Sequence, residues 1–73
     1  MIVVDLARVL EQQQMSLAEL ARRVGVSTVN LSLLKNNHAR AVRFSTLDAI
    51  CRVLECSPGD LLRWEEGTQP AYE

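Results

Sequence analysis

One local pattern recurs four times along this chain and dictates where its secondary structure must begin. An apolar residue precedes a serine, a polar side chain stands three positions after the serine, and a further apolar residue follows. The copies are Met15-Ser16 with Glu19-Leu20, Val26-Ser27 with Asn30-Leu31, Phe44-Ser45 with Asp48-Ala49, and Cys56-Ser57 with Asp60-Leu61. A serine hydroxyl so placed accepts a hydrogen bond from an amide of the first helical turn, and the flanking apolar pair staples the entering chain to that turn. Each copy therefore predicts a helix start. Only the first, with Glu19, is a strict capping box, because Asn30, Asp48 and Asp60 have shorter side chains.

Apolar spacing fills in the rest. Leu6, Val9 and Leu10 recur at helical period and predict a first helix over 5–13, with glutamines 12–14 as its wet end. The serine signals predict further helices over 17–24, 28–35, 46–55 and 58–64. Pro58 suits the first position of the last one, where its missing amide hydrogen would be unpaired in any residue. Between the second and third helices stands Gly25-Val26-Ser27: the glycine can take the left-handed backbone that ends a helix, and the serine can cap the next. The expected unit is helix, sharp turn, helix. Met1 to Val4 is apolar and β-branched, and too short to decide between a fraying helix start and a short strand. Residues 36–44 read as an exposed connection, and Glu65 to Glu73, acidic with Gly67 and Pro70, as a loose tail.

These elements predict a compact all-α domain of five helices over residues 1–64. Its core should draw on Leu6, Val9, Leu10, Leu17, Leu20, Ala21, Val24, Val26, Leu31, Leu34, Phe44, Leu47, Ile50, Cys51, Leu54, Leu61 and Leu62. Seventy-three residues allow only one small core, and a core of that size rarely contributes more than about 3–5 kcal/mol, so stability is expected to be marginal or helped by self-association. There is no run of 18 apolar residues and Asp5 interrupts the apolar start, which predicts neither a membrane span nor a secretory signal and implies a cytoplasmic protein. Cys51 and Cys56 are spaced for neither a zinc site nor a disulfide framework and read as reduced core thiols, while His38 stands alone, so no metal or cofactor is expected. A Ser/His/Asp set and a glycine-rich phosphate loop are both missing, which argues against an enzyme.

Charge is distributed more tellingly than its net value of −1. Residues 1–19 and 48–73 are both net acidic. Between them, residues 20–47 carry Arg22, Arg23, Lys35, Arg40 and Arg43 with no acid. The cationic stretch coincides with the helix-turn-helix and the loop after it, where a phosphate backbone would need it.

Ser16, Glu19, Leu20 and Ala21, then Gly25-Val26-Ser27, then Leu31, Ser32 and Leu34, followed by Phe44-Ser45-Thr46-Leu47 and Ser57-Pro58-Gly59-Asp60-Leu61-Leu62, together resemble the Xre/Cro group of helix-turn-helix transcriptional regulators. The resemblance spans roughly residues 5 to 64 and implies a lambda-repressor-like fold that binds double-stranded DNA. With Leu31 and Leu34 facing the core, helical geometry puts Val29, Ser32, Leu33 and Asn36 on the opposite side, with Thr28 and Lys35 flanking. In helix-turn-helix proteins that helix lies in the major groove, so the resemblance implies Thr28, Val29, Ser32, Leu33 and Asn36 as base-facing positions. Phosphate contacts are expected from Ser16 and Ser27 at the helix starts and from Arg22, Arg23, Lys35, Asn37, Arg40 and Arg43. The chain departs from the family pattern in having Thr28 and Leu17 where a glutamine is common, and Leu33 where an arginine is. Val29 and Leu33, both apolar, leave a second reading open: a protein-binding module, antitoxin-like, on the same fold. One module contacts few base pairs, which implies a homodimer; the apolar ends Ile2, Val4, Leu62 and Trp64 are the expected dimer surface.

Overall fold

The computed structural model describes residues 1–67. The element order is β1 (Ile2–Val4), α1 (Leu6–Gln12), α2 (Leu17–Val24), α3 (Thr28–Lys35), α4 (Phe44–Leu54), α5 (Pro58–Leu61) and β2 (Leu62–Trp64). Five helices form as expected, and α2 and α3 have the bounds that their serines predict. The Ser16 hydroxyl accepts from the Glu19 amide at 3.1 Å and the Ser27 hydroxyl from the Asn30 amide at 3.0 Å. Gly25 ends α2 at φ +85°, left-handed as the turn requires.

The reciprocal half of a capping box is made elsewhere than expected. At the last serine the Ser57 amide donates to Asp60 Oδ2 at 2.9 Å, whereas the Glu19 carboxylate turns away to two arginines. A short aspartate suffices where Pro58 already sets the first turn.

The strictly all-α expectation is corrected by a two-stranded sheet. β1 and β2 pair antiparallel with Ile2 opposite Trp64, Val3 opposite Arg63 and Val4 opposite Leu62. The ladder continues at both ends, through the Glu65 amide on the Met1 carbonyl at 2.9 Å and the Asp5 amide on the Leu61 carbonyl at 2.7 Å. The undecided start of the chain is thus a strand, and the last helix stops at Leu61 instead of 64. Leu62 takes extended backbone, φ −129° and ψ 138°, because β1 offers partners for its neighbours that one more turn around Gly59 would not match. The ribbon includes Glu65, the first residue of the expected loose tail; residues 68–73 of that tail lie outside the described residues.

The core is Leu6, Val9, Leu10, Leu20, Ala21, Leu31, Ile50, Leu54 and Leu61, with Leu17, Val24, Val26, Leu34, Leu47, Cys51 and Leu62 half-buried around it. α2 packs against both α3 and α4. The Gln13 amide ties the end of α1 to the Leu54 carbonyl at 2.5 Å. Cys51 and Cys56 are free and half-buried, and burial pushes the Cys56 thiol up, with Cys51 beside it adding to the shift. Both behave as small apolar side chains.

Phe44 is the one residue of the expected core that the structure places outside. It is 88 % exposed, since α4 is capped by Arg43 and begins at Phe44 itself, not after Ser45. A side chain leans toward its helix's N-terminus, so one at the first position projects off the end, past anything α2 covers. Phe44→Ala should therefore change unfolding free energy by no more than about 0.5 kcal/mol, whereas Leu54→Ala, fully buried, should cost about 2–5 kcal/mol. Urea titrations of the two variants check this, and a large loss for Phe44→Ala would return that ring to the core.

Candidate nucleic-acid interface

The site is built on α3. Ser27 caps its start, Asn36 closes its end, and Leu31, 1 % exposed, anchors it inward. With Leu34 half-buried on the same side, the helix turns Thr28, Val29, Leu33 and Asn36 to solvent and leaves Ser32 half-exposed. All five expected base-facing residues thus lie together on one open strip. Val29 at 70 % exposure and Leu33 at 43 % make that strip partly apolar. Asn36 Nδ2 donates to the Ser32 hydroxyl at 3.3 Å, so these two polar groups hold each other.

The cations of the acid-free stretch divide into two kinds. Lys35, Arg40 and Arg43 have no ion pair among the described residues. Arg22 and Arg23 share one carboxylate: Arg22 Nη2 lies 2.6 Å and Arg23 Nε 2.5 Å from Glu19 Oε2, at i,i+3 and i,i+4 spacing on α2. The Arg22 bond first, then that of Arg23, holds the Glu19 carboxyl down from its usual 4.5 to about 2. The acid-free stretch in sequence therefore has an acid folded against its first two members. Both guanidiniums stay more than half exposed, which leaves donors for a second anion.

Asn37 behaves differently from the other expected phosphate-facing residues. Its backbone is left-handed, φ 63°, and its side-chain amide is engaged within the protein. Oδ1 accepts from the Val4 amide at 2.7 Å, and Nδ2 donates to the Val4 carbonyl at 3.5 Å. The loop after α3 is thereby fastened to β1. Of the expected dimer surface, Val4 and Leu62 are half-buried against the core, while Ile2 at 47 % and Trp64 at 68 % remain open.

Two residues that the sequence reading passed over come to the site. An open groove of about 760 Å³ runs between α3 and the following loop, and Asn30 and His38 line it together with Leu33, Arg40 and Arg43. Asn30 had a visible role as the polar member of a capping pattern, but it fills that role with its backbone amide and is also among the residues that line the groove. The signal for His38 was positional only, in a loop whose path no local pattern sets. Among the described residues, no group of three or more His, Cys, Asp or Glu is placed to hold a metal ion, and no helix is long and apolar enough to cross a membrane.

A family model for the Cro/C1-type HTH DNA-binding domain matches residues 5–67. The chain is also 49 % identical over 71 residues to a Bacillus subtilis (strain 168) protein described as the uncharacterized HTH-type transcriptional regulator YozG, a match that covers 97 % of this chain and 84 % of that one.

Because its carboxyl is depressed, Glu19 contributes to stability fully above its usual value of 4.5, and this contribution is lost as pH falls through about 2. Thermal unfolding followed between those limits should show a pH-dependent decline that is slightly shallower in Glu19→Gln, since the pair is exposed. An identical profile in the variant would show that the two arginines do not hold the carboxylate.

Proposed function

Since the chain belongs to the Cro/C1-type helix-turn-helix DNA-binding family, we propose that it is a transcriptional regulator that reads a specific duplex sequence with α3 in the major groove, as a homodimer. One observation carries this reading: burial of Leu31 turns Thr28, Val29, Ser32, Leu33 and Asn36 outward on a single strip, and Arg40 and Arg43 line the groove beside it. Thr28 and Ser32 can hydrogen-bond to several base edges, Asn36 suits adenine or a phosphate, and Val29 can meet a thymine methyl. Ser16, Ser27, Arg22, Arg23, Lys35, Arg40 and Arg43 are the proposed phosphate contacts, joined by the free amides that begin α2 and α3. Asn37, with its amide engaged on Val4, serves in this scheme by placing the loop that carries Arg40 and Arg43.

Dimerisation follows from reach. A single α3 covers only a few base pairs, whereas two copies can occupy half-sites about 34–36 Å apart, one helical turn. Ile2 and Trp64 are the open apolar residues of the expected dimer surface.

A second reading is favoured by the exposure of Val29 and Leu33, together with that of Phe44: an apolar contact for a partner protein. Salt separates the two. If four or five phosphates are neutralised, the logarithm of the DNA association constant should fall with the logarithm of salt at a slope of about −4. An apolar protein contact would scarcely respond. Selection of bound fragments from random duplexes, followed by titration of the selected duplex at several salt concentrations, tests the proposal. No enriched sequence at low ionic strength would defeat it.

Trp64→Ala should lower the mass of the wild-type dimer toward that of a monomer in size-exclusion chromatography with light scattering. An unchanged dimer mass would remove Trp64 from the interface.

A further inference from the structure

In an antiparallel ladder, residues whose backbone groups point into the pair alternate with residues whose groups point away. Glu65 and Met1 exchange both backbone bonds, through the Glu65 amide on the Met1 carbonyl at 2.9 Å and the chain-start ammonium on the Glu65 carbonyl at 2.6 Å. Given the register, the inward positions of β2 are 63 and 65, and the outward ones are Leu62 and Trp64. On β1 the outward positions are Ile2 and Val4.

These two edges are not equivalent. The β1 edge is closed at Val4, where the Asn37 amide takes both backbone groups as a neighbouring strand would, and Ile2 is also partnered. On the β2 edge the Leu62 amide is already donated to the Pro58 carbonyl. Trp64 alone is left, with no bond to its backbone amide or carbonyl among the described residues and with its side chain 68 % exposed. An open strand edge is a template for another strand.

A second copy of this same edge can meet it in two registers about a two-fold axis. Centred on Arg63, the pairing needs the Leu62 amide that Pro58 holds, and it sets Arg63 against Arg63, which is unfavourable. Centred on Trp64, each tryptophan exchanges both backbone bonds with its mate, and the engaged Leu62 amide is met only at the next pair, with residue 66 of the second copy. Arg63, which already holds Asp5 and Glu65 of its own chain and stays 46 % exposed, then stands opposite Glu65 of the second copy, and Glu65 opposite its Arg63. The strand is self-complementary in charge. On the other face Trp64 and Ile2, neighbours across the ribbon, meet the same pair from the second copy.

We infer that two copies of this chain join through β2 in an antiparallel register centred on Trp64, forming a four-stranded sheet in the order β1-β2-β2-β1. This rests on the homodimer reading above and specifies its interface. The Asn37 bond to Val4 then fastens each α3 loop to an outer strand of one continuous sheet, so the separation of the two reading helices is set by the sheet.

The test uses the full chain. Light scattering over a concentration series should give a dimer for the wild type. Arg63→Glu and Glu65→Arg each place like charges across the axis and should each weaken dimerisation about tenfold or more. Mixed together, the two variants again set an acid against a base at both cross-axis positions, and should associate with close to wild-type affinity. Trp64 is the sole tryptophan, so a couplet between two indoles in the circular dichroism, kept in Tyr72→Phe, can arise only between two copies. It should be present in the dimer and vanish on dilution, a readout that needs no interface variant to fold. A wild-type dimer without the couplet, or one whose charge variants are not rescued by mixing, overturns this register and leaves the homodimer reading standing. A wild type that stays monomeric overturns both.

Discussion

Burial of Leu31 sets the geometry of this protein's open face. An eight-residue helix between a glycine turn and an asparagine end has no length with which to fix its own roll. Its orientation comes from the one side chain that it commits to the core, where Leu31 packs in a cluster with Leu20 and Ala21 of α2 and Leu6, Val9 and Leu10 of α1. Once that contact is made, helical geometry points Val29, Ser32, Leu33 and Asn36 the other way. The left-handed backbone of Gly25 lets α3 return across α2 at the angle that the contact needs, and Ser27 satisfies an amide that the sharp turn would otherwise strand. The apolar anchor, the turn and the cap are separate pieces of chemistry that all constrain a single rigid-body orientation.

Asn37 extends that constraint across the molecule. Asparagine tolerates the left-handed region better than most residues, and at φ 63° it both ends the run of α3 and swings its amide onto Val4. The β-ribbon is short enough to be marginal by itself. It is held on one edge by this amide and along its length by Arg63, whose guanidinium lies 2.9 Å from Asp5 and 2.5 Å from Glu65. The two ends of the described chain are therefore coupled to α3 through side chains, in a domain too small to couple them by bulk.

How much of this was legible in the sequence depends on how far the deciding interaction reaches. α2 and α3 were readable to the residue, because a serine, an amide three positions on and a glycine are all local. The core was readable apart from Phe44, whose fate depends on where α4 starts relative to its partners and not on the hydrophobic pattern that it fits. The ribbon could not be read, since each strand is only a few residues long and its partner lies at the other end of the chain. Local signals even pointed the wrong way there, with Pro58 and Asp60 announcing a helix that the pairing of Leu62 with Val4 cuts short. At the site, the outward strip followed from helical period alone. The engagement of Asn37 and the groove positions of Asn30 and His38 depended on a loop path that no local rule fixes.

Glu19 shows why a count of charges along a chain differs from the field that a ligand meets. In sequence it closes the acidic first segment and stands outside the cationic stretch. In three dimensions it lies on the same face of α2 as Arg22 and Arg23 and takes a bond from each. Ion pairs this exposed contribute little to stability, so the arrangement is better understood through its effect on the arginines. Their side chains are held along the helix in a defined geometry, at the cost of part of their attraction for a distant anion. Lys35, Arg40 and Arg43, without such partners among the described residues, keep their full charge for a distant anion. On the DNA-binding reading, approach to a duplex would be governed by the α3 end and its loop, and α2 would engage only at contact distance, where a guanidinium can hold a carboxylate and a phosphate at once.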